Sequence, residues 1–221
     1  MTVTLLRIKP KGATMSNYLA RPASTPRGGI LVLHAWWGLN DFFKGLCDRL
    51  AMEGYLILAP DLYDGAIAKT IPEAEKLGTK IKHQAAAAHI LKSLKELQAE
   101  IPAKATGLIG FSLGAFWALW LVDEKPKAMA ATVIFYGTRG GKYVGAKSAF
   151  LGHFAEIDEY ESESGMKKLE KTLKAADKET AFFTYPGTRH WFFENDRPEF
   201  DTQAAGLAWN RTVEFLNTHL K

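Results

Sequence analysis

The stretch that decides the fold is TGLIGFSLGAFWALWLV, residues 106–122. It begins as a short apolar strand, passes through G-x-S-x-G at residues 110–114 and continues as a helix that is apolar on nearly every side. Such a helix is predicted to be central and covered. Between a strand and a helix, the motif is typical of a tight, strained turn that lifts a nucleophilic serine above the sheet. The pattern predicts Ser112 as a nucleophile; the alternative is a serine that only caps the helix.

Outward from this stretch, short apolar runs alternate with longer helical patterns. Strands are predicted at 29–34, 55–59, 106–111, 130–135, 148–154 and 180–185, and helices at 41–53, 83–100, 113–122, 162–175 and 200–220. This alternation predicts one α/β domain over residues 1–221, with a mostly parallel sheet and helices on both faces. In such sheets a ligand site lies beyond the carboxyl ends of the strands. Residues 1–11 are predicted as a short strand-like piece, and 61–82 and 137–147 as loops and short pieces over the site.

A serine needs a base before it becomes a good nucleophile. The chain has six histidines, and only His190 follows the last predicted strand and a loop. That is the position expected for the base when the chain order is serine, acid, histidine. The sequence therefore predicts His190 as general base, against the alternative of a surface loop histidine.

The orienting acid is expected just after the strand at 148–154. Three acids lie there, Glu156, Asp158 and Glu159. The acid accepts the imidazole N–H and stabilises the imidazolium that forms. Asp158 is the first choice and Glu156 the second.

An oxyanion hole requires two backbone N–H groups. One is predicted from Leu113, the residue after the nucleophile, and the other from Trp36, in the loop after the strand at 29–34. Trp36, Trp37 and Trp191 flank this predicted site, which favours an apolar acyl or aryl pocket.

Two further substrate contacts are predicted from the region after the strand at 130–135. They are Tyr136 and Arg139.

Composition and motifs argue against several other classes of protein. The 221 residues carry a net charge of +4 with scattered Lys and Arg, and no basic stripe or reading motif indicates nucleic-acid binding. The single Cys47 cannot form an internal disulfide. No signal peptide, membrane span, metal-ligand cluster or cofactor motif is predicted. We expect a cytoplasmic protein without a cofactor, a monomer or a small homo-oligomer.

Several motifs in order resemble the dienelactone hydrolase family, over most of the chain. They are LHAWWGLN (33–40), APDLYDG (59–65), GFSLGA (110–115), FYG (135–137), HFAEIDEY (153–160), YPGTRHWF (185–192) and LAWNRTVEFLNTHL (207–220). The resemblance implies an α/β-hydrolase core of about eight strands with little or no cap. It also implies a nucleophile–Asp–His triad, which falls on Ser112, Asp158 and His190.

The chain departs from this family at three positions. The founding dienelactone enzymes have a cysteine where this chain has Ser112 and a glutamate where it has Ala35, which fits an ordinary serine mechanism. A substrate-carboxylate arginine of those enzymes would fall at Glu194, with Arg189 and Arg197 nearby. This last departure points away from dienelactone itself as the substrate.

Together these patterns predict a serine hydrolase that cleaves a carboxylic ester or lactone through an acyl-enzyme on Ser112. Two alternatives stay open. The scaffold could be a non-catalytic binding or regulatory protein, or a thioesterase or peptidase that uses the same triad.

Overall fold

The computed structural model describes residues 16–221, so the predicted strand-like piece at residues 1–11 lies outside the described residues. Strands are β1 (Asn17–Ala20), β2 (Gly29–Leu33), β3 (Leu56–Pro60), β4 (Thr106–Phe111), β5 (Ala131–Phe135), β6 (Ala149–Ile157) and β7 (Thr180–Arg189). Helices are α1 (Asp41–Met52), α2 (Ile71–Lys80), α3 (His83–Glu100), α4 (Leu113–Glu124), α5 (Glu163–Ala175) and α6 (Thr202–His219).

The chain divides into two compact units, with the boundary between Thr106 and Gly107. In the first unit, β3 lies between β1 and β2, antiparallel to β1 and parallel to β2. Helix α1 packs on β1 and β3, and α3 packs on β2 and β3. Helix α1 begins where the Asn40 side chain accepts a hydrogen bond from the Phe43 N–H, a standard N-cap contact.

The second unit carries four consecutive parallel strands in the order β4-β5-β6-β7. Helix α4 packs on β5, α5 on β7, and α6 on β5 and β6. Because all four strands run the same way, their carboxyl ends lie along one edge. Residues that follow these strands are therefore brought together although they are distant in sequence.

The mostly parallel α/β arrangement is confirmed, and seven strands in residues 16–221 compare with about eight expected. Two elements were missed. Strand β1 is short, and helix α2 lies inside the region predicted as loops. That helix starts at a capping box between Thr70 and Glu73, with a proline in its first turn, which is a local helix signal. The single domain over residues 1–221 stays a prediction.

Strand β7 is four residues longer than predicted and runs through Pro186 and Gly187 to Arg189. Proline is tolerated there because β7 pairs only with β6 among the described strands of its unit. A register shift between Ala155 and Ile157 accommodates the extension. As a result His190 follows β7 directly, without an intervening loop.

Close packing of backbone on backbone defines the turn between β4 and α4. A methyl group on Gly110 would overlap the carbonyl group of Gly114 and approach the Cα of Ala115 to 2.8 Å. These neighbours are backbone atoms of the helix and cannot rotate away. Only glycine fits at this crossing.

We expect Gly110→Ala to lower the free energy of unfolding by about 1–3 kcal/mol or more, because the added carbon overpacks the turn. The control is Gly206→Ala in α6, where the new methyl group meets no atom within 4 Å. Removing a helical glycine there should raise stability by about 0.5–1 kcal/mol. Urea titration followed by circular dichroism measures both. Equal effects of the two substitutions would contradict the packing account.

Candidate active site

Ser112 occupies a strained turn at the end of β4. Its φ is 50° and its ψ is −111°, a region that non-glycine residues rarely enter. Its N–H donates to the carbonyl of Phe135 over 2.9 Å, and its own carbonyl accepts from Ala115 and Phe116 in the first turn of α4. The side chain makes no capping bond to the helix, so the capping alternative does not describe this serine.

His190 joins the side chains of Ser112 and Asp158, and each of the three residues follows a different strand. The Nε2 atom of His190 lies 2.9 Å from the Ser112 Oγ. The Nδ1 atom of His190 lies 2.8 Å from both carboxylate oxygens of Asp158. The His190 and Asp158 side chains are each only 5% exposed. An ionised carboxylate only accepts hydrogen bonds, so Nδ1 carries the proton and Nε2 is left to accept the serine O–H.

The carboxylate of Asp158 is fixed by its own backbone. Its Oδ1 atom accepts from the N–H groups of Tyr160 and Glu161, over 2.9 and 2.8 Å. Two backbone donors to one oxygen hold the carboxylate at the start of the turn after β6. The side chain therefore has little freedom to leave His190.

The other two acids considered from the sequence are engaged elsewhere. Glu156 accepts the Gly187 N–H over 2.8 Å, and Glu159 forms an ion pair with Arg189 at 3.0 Å. Of these acids and Asp158, it is Asp158 that bonds His190.

Aromatic rings surround the imidazole of His190. Ring centroids lie 4.8 Å away for Tyr136, 5.0 Å for Tyr160 and 4.9 Å for Trp191. Tyr136 and Trp191 also have positive φ angles, 36° and 65°, so strained backbone follows β5 and β7 as well as β4. Tyr160 is 47% exposed. It was missed because nothing in its local pattern indicates that its ring reaches His190.

Tyr136 has a fully buried side chain. Its hydroxyl donates to Oε1 of Glu194 over 2.6 Å, and its ring centroid lies 4.8 Å from that of His190. A contact between Tyr136 and a substrate stays a prediction.

Glu194 is a fully buried carboxyl group. Burial raises its pKa to about 8, although the hydrogen bond from Tyr136 acts in the opposite direction. The sequence singled out this position only by contrast with an arginine. Its pairing with a tyrosine 58 residues earlier has no local signal.

Arg139 lies in the irregular segment 137–147. Its guanidinium is 3.7 Å from Asp123 of α4 and 5.4 Å from the ring centroid of Phe116. Asp123 also accepts the N–H groups of Lys142 and Tyr143, which ties this segment to the helix. A substrate contact by Arg139 stays a prediction.

The predicted oxyanion donors sit in different units. Leu113 is the first residue of α4, where a backbone N–H has no acceptor within its own helix. Trp36 and Trp37 follow β2, with ring centroids 5.7 Å apart in an edge-on arrangement. The oxyanion role of Leu113 and the roles of both tryptophans stay predictions.

The buried His153 illustrates why His190 differs from the other histidines. Its Nδ1 lies 2.8 Å from the Tyr185 hydroxyl and its Nε2 3.0 Å from the Thr212 hydroxyl. Burial lowers its pKa to about 3, so the ring is neutral. Both of its nitrogens are used in packing β6 against β7 and α6.

Residues 16–221 contain neither a metal-binding cluster nor a membrane-spanning helix. No group of three or more His, Cys, Asp or Glu in that range is arranged to hold a metal ion. None of the helices described has the length and apolar character needed to cross a bilayer.

The model of the dienelactone hydrolase family matches residues 15–220. This chain belongs to the dienelactone hydrolase family. It is an enzyme, a carboxylic ester hydrolase of that family.

Relatives match over nearly the whole chain. A protein of Aquifex aeolicus, provisionally named carboxymethylenebutenolidase, is 28% identical over 98% of this chain and 99% of its own. "Protein usf" of Aquifex pyrophilus is 29% identical over 98% of both chains. A provisionally named dienelactone hydrolase structure from Klebsiella pneumoniae is 24% identical, with a TM-score of 0.82 and 98% of both chains covered. This last likeness establishes the α/β-hydrolase fold alone.

Proposed function

We propose that this enzyme cleaves esters or lactones through an acyl-enzyme on Ser112, with His190 as general base and Asp158 as the orienting acid. The observation that supports it is the continuous chain of contacts from the Asp158 carboxylate through His190 to the Ser112 hydroxyl, at 2.8 and 2.9 Å. A nucleophile bonded to a base that is itself oriented by a third group is the arrangement that nucleophilic catalysis requires.

The first half of the reaction forms the acyl-enzyme. Nε2 of His190 takes the proton of Ser112 while Oγ bonds to the carbonyl carbon, and the carbonyl oxygen becomes an oxyanion. When the tetrahedral intermediate collapses, the bond to the leaving alcohol breaks and His190 donates its proton to that oxygen. Asp158 stabilises the imidazolium between these two transfers.

The second half releases the acid. Water gives a proton to His190 and attacks the acyl carbon, and Ser112 regains its proton as the acid leaves. In a lactone the leaving alcohol stays attached to the acyl group, so the ring opens.

Backbone N–H groups stabilise the oxyanion. The N–H of Leu113 lies in the first turn of α4, whose positive end favours negative charge. A role of Trp36 as the second donor stays a prediction of the sequence. Losing one such donor typically raises the barrier by about 3–4 kcal/mol.

The side chains around the imidazole of His190 indicate the class of substrate. A leaving group must come within hydrogen-bond reach of Nε2 to receive its proton. Tyr160 and Trp191 pack beside that imidazole, 4.9 Å from one another, and Tyr160 is half exposed. We therefore favour esters or lactones with a flat apolar or aryl group on the leaving side. A lactone also fits the name of the Aquifex aeolicus relative.

We expect Ser112→Ala to lower kcat for p-nitrophenyl acetate by about 10⁶, the scale seen when the serine of a triad is removed. Spectrophotometric release of nitrophenol measures it. A fluorophosphonate probe should label the native protein at Ser112 and leave the variant blank. Unchanged turnover in purified variant, or a native protein that the probe does not label, would favour a non-catalytic scaffold or another nucleophile.

We expect Asp158→Asn to lower kcat by about 10⁴, because the amide favours the wrong imidazole tautomer. The matched control is Glu156→Gln, an equivalent change two residues earlier, which should leave kcat within about twofold because that side chain bonds Gly187 instead. Steady-state rates at pH 7 compare the two. A larger loss in the Glu156 variant would transfer the acid role to that residue.

We expect Tyr160→Ala to weaken kcat/KM for phenyl acetate more than for ethyl acetate. A lost aromatic contact is worth about 0.5–1.5 kcal/mol, which corresponds to about two- to twelvefold. Tyr160→Phe keeps the ring and should keep the preference. An equal loss for both esters would argue against a leaving-group contact.

A further inference from the structure

Tyr136 and Glu194 form a buried pair next to the imidazole of His190. Tyr136 follows β5, Glu194 lies in the turn after β7, and neither side chain is exposed. The Tyr136 hydroxyl donates to Glu194 Oε1 over 2.6 Å, and the tyrosine ring contacts His190 at a centroid distance of 4.8 Å. The other carboxyl oxygen, Oε2, is buried and has no hydrogen-bond partner within residues 16–221.

We propose that Tyr136 and Glu194 are positioning residues for His190, with the Glu194 carboxyl anchoring the tyrosine ring that supports the imidazole. The inference rests on the proposed role of His190 as general base. Neither residue touches the reacting atoms in this account.

The backbone leaves Tyr136 little alternative. Its N–H donates to the carbonyl of His153 over 2.7 Å, and its φ of 36° is strained for a bulky residue. Such strain persists only where the surroundings fix it and is common at functional sites. The ring is then held at its far end by Glu194, so both ends of the tyrosine are fixed.

Three neighbouring side chains restrict the imidazole of His190. Asp158 holds Nδ1 over 2.8 Å, Tyr160 covers the ring as a half-exposed neighbour, and Tyr136 supports it from the buried interior. A general base must keep its nitrogen within about 3 Å of the hydroxyl. The buried ring of Tyr136 prevents the imidazole from tilting away from Ser112.

The carboxyl of Glu194 performs this role without a charge at neutral pH. Its pKa is about 8, raised first by burial, with Asp196 and Glu199 of its own segment adding to the rise and Arg197 opposing it. Tyr136, which follows β5, faces the Glu194 carboxyl. Burial and Glu194 raise the pKa of the Tyr136 phenol well above its usual value, and Asp158 and Asp196 add to the rise. Ionisation of Glu194 would therefore place a buried negative charge against the tyrosine that contacts His190.

The direction of the pH effect follows. The carboxyl holds its proton more tightly in the folded chain than in the unfolded one, so its contribution to stability is complete below about pH 4.5 and is lost as pH rises through about 8. Above that pH the buried Glu194 anion loosens its own segment, which anchors the Tyr136 hydroxyl. Activity should fall in the same range.

The experiment compares Glu194→Gln and Tyr136→Phe with the native enzyme in pH profiles of kcat and Tm from pH 5 to 10. Glutamine keeps an acceptor for the Tyr136 hydroxyl but cannot ionise. We expect Glu194→Gln to retain kcat within about threefold at pH 7 and to lose both the fall in kcat above pH 8 and much of the fall in Tm. Glu75→Gln, which removes an exposed carboxyl of α2, is the matched control and should retain both.

Tyr136→Phe keeps the ring but releases it from Glu194. We expect kcat to fall about tenfold with KM unchanged, less than the ~100-fold that a 1 Å misplacement can cost. A merely structural tyrosine would lower Tm without this split between kcat and KM.

Three results would overturn the proposal. They are a fall in kcat above pH 8 and a fall in Tm between pH 5 and 8 that Glu194→Gln leaves both unaltered, a native enzyme whose kcat does not fall between pH 8 and 10, and a Tyr136→Phe variant whose kcat equals that of the native enzyme. Should Glu194→Gln fail to fold, the last two still decide. Fluorophosphonate labelling keeps the tests separate: a native enzyme left unlabelled at Ser112 refutes the proposed function, while the Tm profile still reports on Glu194.

Discussion

The turn between β4 and α4 is the constraint from which the rest of the second unit follows. Gly110 lies against the backbone of α4 so closely that no side chain fits. In the same turn Ser112 has a φ of 50°, and its N–H donates to the carbonyl of Phe135. A helix start that would ordinarily use a serine as a cap instead presents its hydroxyl to His190. The strain is tolerated because β4 and most of α4 are buried.

Parallel strand order explains how the remaining groups reach that hydroxyl. Four neighbouring strands end at one edge, and each is followed by a residue of the candidate site. Ser112 follows β4, Tyr136 follows β5, Asp158 follows β6 and His190 follows β7. Loop length matters little to this convergence, since each strand delivers its residue directly. The same edge is where parallel α/β sheets commonly bind ligands.

Much of this could be predicted because the signals are local. The elbow at Ser112 is visible as an apolar strand, a glycine-flanked serine and an apolar helix. The strand predicted at 148–154 forms as β6 but runs three residues further, to Ile157, so that Asp158 follows it directly. The sequence could not rank Asp158 above Glu156 with certainty, because the choice depends on Gly187, which engages Glu156 from β7. Likewise the Tyr136–Glu194 bond joins the ends of two separate strands. Helix α2 was missed for another reason: its capping box is local, but the helix has only ten residues and buries only Ala74 among them.

Formation of an acyl group on Ser112 during turnover is the step on which the proposed mechanism depends. The direct measurement mixes the enzyme with a p-nitrophenyl ester, quenches it in acid within the first turnover and locates the adduct by peptide mass spectrometry. We expect one acyl group on the peptide that contains Ser112, formed together with the first equivalent of nitrophenol. Release of that first equivalent with the acyl group on a different residue, or on none, would contradict it.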